Sequence, residues 1–97
     1  MSYNTIDEIK QANTRLGHSW FDTGTALYHG SSVESEIIGG FYFVESSYRE
    51  LGNSDSGKVF RAVAASPDGS VQYLSGADTF DTAESAREYI DDIVATR

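Results

Sequence analysis

The chain has no cysteine and contains only one proline, one methionine and one tryptophan in 97 residues. The absence of cysteine excludes disulfides, thiol catalysis and thiolate metal sites, and it is typical of proteins in a reducing cytoplasm. No apolar run approaches the roughly 20 residues that a membrane-spanning helix needs. The N-terminal residues also lack a basic stretch followed by an apolar one, so we expect no signal peptide and a cytoplasmic protein.

Basic residues are scarce as well. Seven Lys and Arg stand against 15 Asp and Glu, which gives a formal net charge of −8. This balance disfavours direct binding to nucleic acid or to an anionic membrane surface, because both require a surplus of positive charge. Apolar residues make up 39% of the chain, which is enough for a folded core. The chain is too short for two independent cores, so we expect residues 1–97 to form a single domain.

Apolar periodicity predicts a helix near each end of the chain. Thr5 and Glu8 have the spacing of a capping box, and Gly17 supplies a stop, which predicts a helix over residues 5–16. Near the C-terminus a second helix is predicted over residues 83–95. Its apolar residues fall within about 100° of arc on a helical wheel, so they form one stripe that faces a sheet. The stripe consists of Ala83, Ala86, Ile90, Ile93 and Val94.

The segment between the helices is rich in β-forming residues. A hairpin with a glycine corner is predicted around Gly39 and Gly40, followed by a strand from residue 41. A second hairpin is predicted for residues 58–75, because Pro67 presets φ in the turn and Gly69 accepts positive φ.

Two further segments have weaker patterns. Residues 18–33 predict a strand fragment, a turn and another short strand, and the polar residues 50–57 predict a disordered loop. Together these elements predict an α+β fold with an N-terminal helix, a small antiparallel sheet of three to five strands and a C-terminal amphipathic helix. We expect the helices to form one layer against one face of the sheet.

Enzymatic activity is disfavoured by the pattern of its candidate groups. His18 and His29 do not occur in any spacing typical of metal ligation or of a catalytic triad. Residues 53–57 resemble a calcium loop only weakly, because a closing Glu is missing. We therefore expect no cofactor, no metal and no catalytic residue. The alternative is an enzyme or small-ligand binder around His18, Asp22 and His29.

The carboxylates of the last helix form the most informative pattern. Four of them share an arc of about 100° opposite the apolar stripe and span about 12 Å of helix axis. The resulting spacing is about one negative charge per 3–4 Å, and one strand of duplex DNA carries a phosphate every ~3.4 Å. These residues are Glu84, Glu88, Asp91 and Asp92. Asp78 and Asp81 extend the patch beyond the start of the helix.

The simplest alternative is that this patch is only the solvated face of an amphipathic helix. The helix dipole disfavours Asp91 and Asp92 in the last turns by about 0.3–1 kcal/mol each. Glu88 is also four residues from both Glu84 and Asp92, and like charges at that spacing destabilise a helix. Such local violations are expected where function outweighs stability. Tyr89, on the flank of the same helix, is a candidate anchor in a protein interface.

Four segments together resemble a small uncharacterised protein family encoded by phages, prophages and conjugative plasmids. They are residues 5–13 (TIDEIKQAN), 17–22 (GHSWFD), 40–47 (GFYFVESS) and 80–86 (FDTAESA). The resemblance extends over nearly the whole chain and carries no catalytic residue. It implies a mobile-element context, in which short acidic proteins act as inhibitors of host defence, including anti-CRISPR and anti-restriction proteins that imitate DNA.

These observations lead to two main hypotheses. The first is a non-enzymatic inhibitor that binds the basic, nucleic-acid-binding surface of a CRISPR effector or restriction enzyme through the acidic patch. The second is an accessory protein-interaction module of a phage or plasmid, which could form a homodimer through strand edges and a surface that includes Trp20 or Tyr42. Both hypotheses predict a protein partner, and neither involves direct contact with nucleic acid or membrane.

Overall fold

The computed structural model describes residues 2–50, 52–74 and 79–96. They form helices α1 (Ile6–Arg15), α2 (Thr23–His29) and α3 (Ala83–Ala95) and strands β1 (Ser32–Val33), β2 (Tyr42–Glu50), β3 (Asn53–Ala65) and β4 (Val71–Tyr73). The strands make one antiparallel sheet in the order β1-β2-β3-β4. The predicted α+β class is therefore confirmed. Within the described ranges, no helix is long and apolar enough to cross a membrane.

The two terminal helices lie on opposite faces of this sheet. Phe43 of β2 pairs with Val63 of β3 on one face, and the next residue, Val44, points to the other face because side chains alternate along a strand. Ile9 of α1 packs in the cluster of Phe43 and Val63. Ile90 of α3 packs in the cluster of Val44. The expected single layer of helices is thus wrong, because both faces of the central strands are apolar and each needs a cover.

The predicted C-terminal helix is confirmed, with α3 spanning Ala83–Ala95. The Thr82 hydroxyl accepts a hydrogen bond of 3.1 Å from the Ser85 N–H and caps the helix N-terminus. Ala86 and Ile90 are fully buried against the sheet, and the other residues of the predicted stripe pack around them. The apolar stripe therefore fixes which side of α3 faces solvent.

The predicted N-terminal helix is also confirmed as α1. Thr5 caps it by accepting from the Glu8 N–H at 3.3 Å, but the Glu8 carboxylate accepts from the Asn4 N–H and not from Thr5. Asn13 on its inner side is buried and ties the helix to the β3–β4 turn, because its Nδ2 donates to the Gly69 carbonyl at 2.8 Å. Gly69 adopts φ of 101°, as the predicted hairpin turn requires.

The predicted hairpins are both present. The Ile38 N–H donates to the Tyr42 carbonyl at 2.7 Å across a corner in which Gly39 has φ of 63° and Gly40 has φ of 87°. In the second hairpin the Gly69 N–H donates to the Ser66 carbonyl at 2.9 Å and closes the turn between β3 and β4.

The interpretation of residues 18–33 is wrong, because they contain the helix α2 where a turn and a second strand were expected. The Asp22 carboxylate accepts from the backbone of Gly24 at 2.9 Å and of Thr25 at 3.4 Å, so the apparent turn is a helix cap. Gly30, with φ of 65°, ends the helix. With only seven residues, α2 is too short to display helical apolar periodicity.

The expected disordered loop over residues 50–57 is also wrong, because β3 begins at Asn53 and pairs directly with Glu50. Polar side chains stabilise this end of the hairpin. The Ser56 hydroxyl accepts from the Glu50 N–H at 2.9 Å and donates to the Asn53 carbonyl at 2.6 Å. This end of the β2–β3 hairpin extends past the core. Backbone pairing and polar side chains therefore hold its residues in a strand although they are not apolar.

Candidate protein-binding surface

The acidic face of α3 consists of Glu84, Glu88, Asp91 and Asp92, and all four residues are exposed. The buried positions Ala86 and Ile90 orient the helix, so the acidic face lies on the side turned away from the sheet. A helix carries these carboxylates on a stiff backbone, so they are presented in a fixed order along about 12 Å of axis.

The single basic residue of α3 does not neutralise this face. Arg87 forms a salt bridge with Glu36, in which Nη2 lies 2.7 Å from Oε1. This hydrogen bond lowers the pKa of Glu36 and raises the pKa of Arg87, and the Asp91 charge contributes a smaller increase to the latter. Among the residues described, the acidic face takes part in no salt bridge with Lys or Arg.

The remaining predicted partner-binding residues occupy the margins of the acidic face. Asp81 is exposed just before the helix, whereas Asp78 lies outside the described residues. Tyr89 is half-buried, and its ring packs against Phe80 with centroids 5.5 Å apart. Tyr89 therefore stabilises the edge of the α3 core, and only part of its ring is accessible to a partner.

The groups of the enzymatic alternative are placed in different settings. His18 is exposed and lines a shallow cavity together with Asn13 and Trp20. Asp22 is used to cap α2, and the His29 side chain lies outside the described part of the structure. In the described part, no three His, Asp or Glu residues are grouped so that they could hold a metal ion.

Sequence reasoning missed a buried polar cluster on the α1 side of the sheet. Glu45 of β2 is fully buried, and its Oε2 accepts a hydrogen bond of 3.2 Å from the Tyr73 hydroxyl. Arg61, opposite Glu45 on β3, lies over the Tyr73 ring at 4.9 Å and donates to the Ser47 hydroxyl at 3.0 Å. A carboxylate, a phenol and a guanidinium are therefore held together on the side of the sheet that α1 covers.

Burial dominates the protonation behaviour of this cluster. It raises the pKa of Glu45, while Tyr73, Ser47 and Arg61 favour the charged carboxylate and oppose that increase. Burial and the nearby Glu45 charge also raise the pKa of Tyr73. Its hydroxyl therefore keeps its proton, and remains a hydrogen-bond donor, to a higher pH than an ordinary phenol. The sequence did contain a signal: Glu45 is two residues after Phe43, at an inward position of a strand whose side chains alternate.

Comparison with known proteins adds no family to these observations. No protein-family model, curated protein or solved structure matches the chain. The resemblance to phage and plasmid proteins therefore stays a prediction.

Proposed function

We propose that this chain is a non-enzymatic inhibitor of a host complex that targets nucleic acid, such as a CRISPR effector or a restriction enzyme. Its acidic face imitates a phosphodiester backbone and occupies the basic surface where the complex binds DNA or RNA. Such complexes act in the host cytoplasm, so the inhibitor works there too. The partner is a protein, and the inhibitor itself contacts neither nucleic acid nor membrane.

The exposure and order of the acidic face carry this proposal. Four carboxylates along about 12 Å of helix give about one charge per 3–4 Å, close to the ~3.4 Å phosphate spacing of one DNA strand. Because Arg87 is paired with Glu36, the four acids have no salt bridge among the described residues, and only a weaker interaction of Arg87 with Asp91 offsets their negative charge. Because the helix is held by buried residues, binding requires little additional ordering of the backbone.

Electrostatic recognition of this kind has a characteristic dependence on salt. Complementary charges accelerate association, and salt screens them, with a Debye length of about 10 Å at 0.1 M ionic strength. The net charge of −8 adds a long-range attraction to any basic partner. We therefore expect rapid binding at low salt and a steep loss of affinity as salt increases.

Affinity capture from a host lysate at two salt concentrations tests the proposal. One variant neutralises the acidic face with E84Q, E88Q, D91N and D92N. A matched control neutralises four exposed acids outside α3, namely Asp7, Glu34, Glu50 and Asp55. The proposal requires that the wild type and the control retain a nucleic-acid-binding complex at low salt and that the α3 variant does not. Equal capture by all three proteins would refute it.

The alternative proposal is an accessory interaction module that forms a homodimer. The two aromatic residues expected in the dimer interface, Trp20 and Tyr42, instead pack against residues of their own protomer. Tyr42 is buried with the α3 core, and the Trp20 ring packs edge-on against Phe21 and Phe43. A dimer would therefore need a different surface, such as the edge strands. Light scattering on the purified protein tests this alternative: a monomer would exclude the homodimeric module, whereas a stable dimer would favour it. Capture with the variant neutralised on the acidic face then separates the two proposals, because only the inhibitor needs that face.

A further inference from the structure

The strand β4 forms one edge of the sheet, and backbone groups on its outer side have no ladder partner. The Leu74 N–H donates to the Ala62 carbonyl at 2.9 Å, which fixes the hydrogen-bonded positions of the ladder between β3 and β4. Because bonded pairs recur every second residue, the backbone of Gln72 also faces β3, whereas the N–H and C=O groups of Val71 and Tyr73 point away from it. In the described sheet no strand lies beyond β4, so these outward groups are available for pairing.

The β4 edge also lacks the charges that commonly protect an edge strand from pairing with another chain. The opposite edge has this protection, because β1 is only two residues long and is followed by the exposed acids Glu34 and Glu36. Residues 69–77, in contrast, contain no charged side chain, although the whole chain has a net charge of −8. Two copies of this acidic chain can therefore meet at β4 with less like-charge repulsion than at β1.

The register of β4 suits pairing with an identical strand. If two copies meet antiparallel about Gln72, Val71 of each copy lies opposite Tyr73 of the other. Both residues have outward N–H and C=O groups, so they can bond to each other across the two-fold axis. We propose that the chain forms a symmetric homodimer in which the two β4 strands pair about Gln72 and the two sheets join into one.

The second copy also covers side chains beside this edge. Gln72 and the half-buried Leu74 line a cavity of about 310 Å³, and Leu74 packs with the α3 core. Opposite residues of antiparallel strands project to the same face, so Gln72 and Leu74 of the second copy lie on this side of the joined sheet. Pairing therefore buries apolar surface of Leu74 in addition to forming main-chain hydrogen bonds.

This symmetry places both α3 helices on the same side of the joined sheet. Because opposite residues share a face, the two-fold axis runs perpendicular to the sheet. In each copy α3 packs over β2 and β3, so the two helix axes are separated by about four strand spacings of ~4.8 Å, or ~19 Å. Both acidic faces stay exposed, so the dimer is compatible with the inhibitor proposal and does not depend on it.

Sedimentation equilibrium over a range of protein and salt concentrations tests the dimer. Because β4 has only three residues, we expect the dimer to dissociate on dilution. Each copy has a charge of −8, so salt screens the repulsion between copies, and dimerisation should strengthen as salt increases. Capture of a basic partner through the acidic face should weaken instead, so the two proposals fail separately. A protein that stays monomeric throughout would overturn the dimer, even if an extended peptide of another protein paired with β4.

A charge exchange at Gln72 tests the register. Gln72 is exposed, and in the proposed dimer it lies directly opposite Gln72 of the second copy. Like charges at opposite positions destabilise a strand pair, so Q72K alone and Q72E alone should each dimerise about fivefold more weakly than the wild type. Mixing the two variants should restore dimerisation, because Lys then faces Glu. Dimerisation that is unchanged by Q72K, or that does not recover on mixing, would overturn pairing about Gln72.

Two further sets of variants complete the test. Q11K and Q11E, at an exposed position of α1, have the same net charges as the Gln72 variants and should show neither the loss nor the recovery. V71P removes an outward N–H that is not part of the ladder with β3, and proline is tolerated at such edge positions. We expect V71P to weaken dimerisation by about tenfold or more, because each copy loses a donor. A folded V71P that dimerises like the wild type would contradict the assignment.

Discussion

Arg87 is paired with Glu36 across the surface, with Nη2 2.7 Å from Oε1, rather than with Glu84 or Asp91 one helical turn away on α3. The only basic side chain of α3 is thereby held by an acid that does not belong to the acidic face. Both partners are exposed, so this salt bridge contributes little to stability. Its effect is on the charge of α3.

Removing Arg87 and removing Glu36 should change partner binding in opposite directions. R87Q removes positive charge beside the acidic face and is expected to strengthen binding to the captured complex at low salt. E36Q frees Arg87 to pair with Asp91 and is expected to weaken binding. Equilibrium affinities measured by surface plasmon resonance check both signs. Two changes in the same direction would show that the charge of α3 does not govern recognition.

Neutralising Asp92 should stabilise the folded protein. Its charge is unfavourable for the C-terminal end of the helix dipole and repels Glu88 four residues earlier. We expect D92N to increase the free energy of unfolding by about 0.3–1 kcal/mol while weakening partner binding. Urea denaturation of the variant and the wild type measures the first effect. An unchanged or lower stability would mean that Asp92 has a stabilising role within the chain.

The buried Glu45 should make stability depend on pH in a defined direction. Burial raises its pKa above the ordinary value of 4.5, so the folded state binds this proton more tightly than the unfolded state. Its stabilising contribution is complete below that ordinary value and is lost as the pH rises through the folded pKa. E45Q has no such titration, so its stability relative to the wild type should increase with pH over that window.

Urea denaturation at several pH values between about 4.5 and neutrality measures this difference. Glu36 and Asp68, whose pKa values are lowered, are present in both proteins, so their effects cancel in the comparison. A difference between E45Q and the wild type that is independent of pH would contradict the raised pKa of Glu45.

Gly69 should be far less tolerant of substitution than Gly57. Both have positive φ, 101° and 87°, so alanine is strained at either position. At Gly69 an added Cβ would lie 2.4 Å from the Ala12 backbone carbon, whereas at Gly57 it meets no atom of the described residues within 4 Å. We expect G69A to destabilise the protein by about 1–3 kcal/mol more than G57A. Thermal unfolding of the two variants measures this difference. Equal losses of stability would show that the positive φ alone causes the destabilisation.

The sequence predicted the elements whose stability is encoded locally. The α3 helix was predicted over 83–95 because its apolar stripe repeats with helical period. The second hairpin was predicted from Pro67 and Gly69, whose backbone preferences suit the turn. The exposure of the acidic face follows from the same periodicity, since a buried stripe determines the opposite side of a helix.

The elements that were missed depend on tertiary context. The helix α2 is short, and its stability comes from the caps at Asp22 and Gly30 and from packing rather than from a long apolar repeat. The polar start of β3 is paired with β2 although its side chains give no β signal. Glu45 occupies an inward position, but its contact with Tyr73 joins residues 28 positions apart and cannot be derived from a local pattern.

Competition with nucleic acid on a purified partner complex tests the central claim most directly. If the acidic face occupies the nucleic-acid-binding surface, DNA or RNA and this protein will exclude each other. The variant neutralised at Glu84, Glu88, Asp91 and Asp92 will then fail to displace the nucleic acid. A ternary complex that contains both ligands, or undiminished displacement by the neutralised variant, would contradict the account.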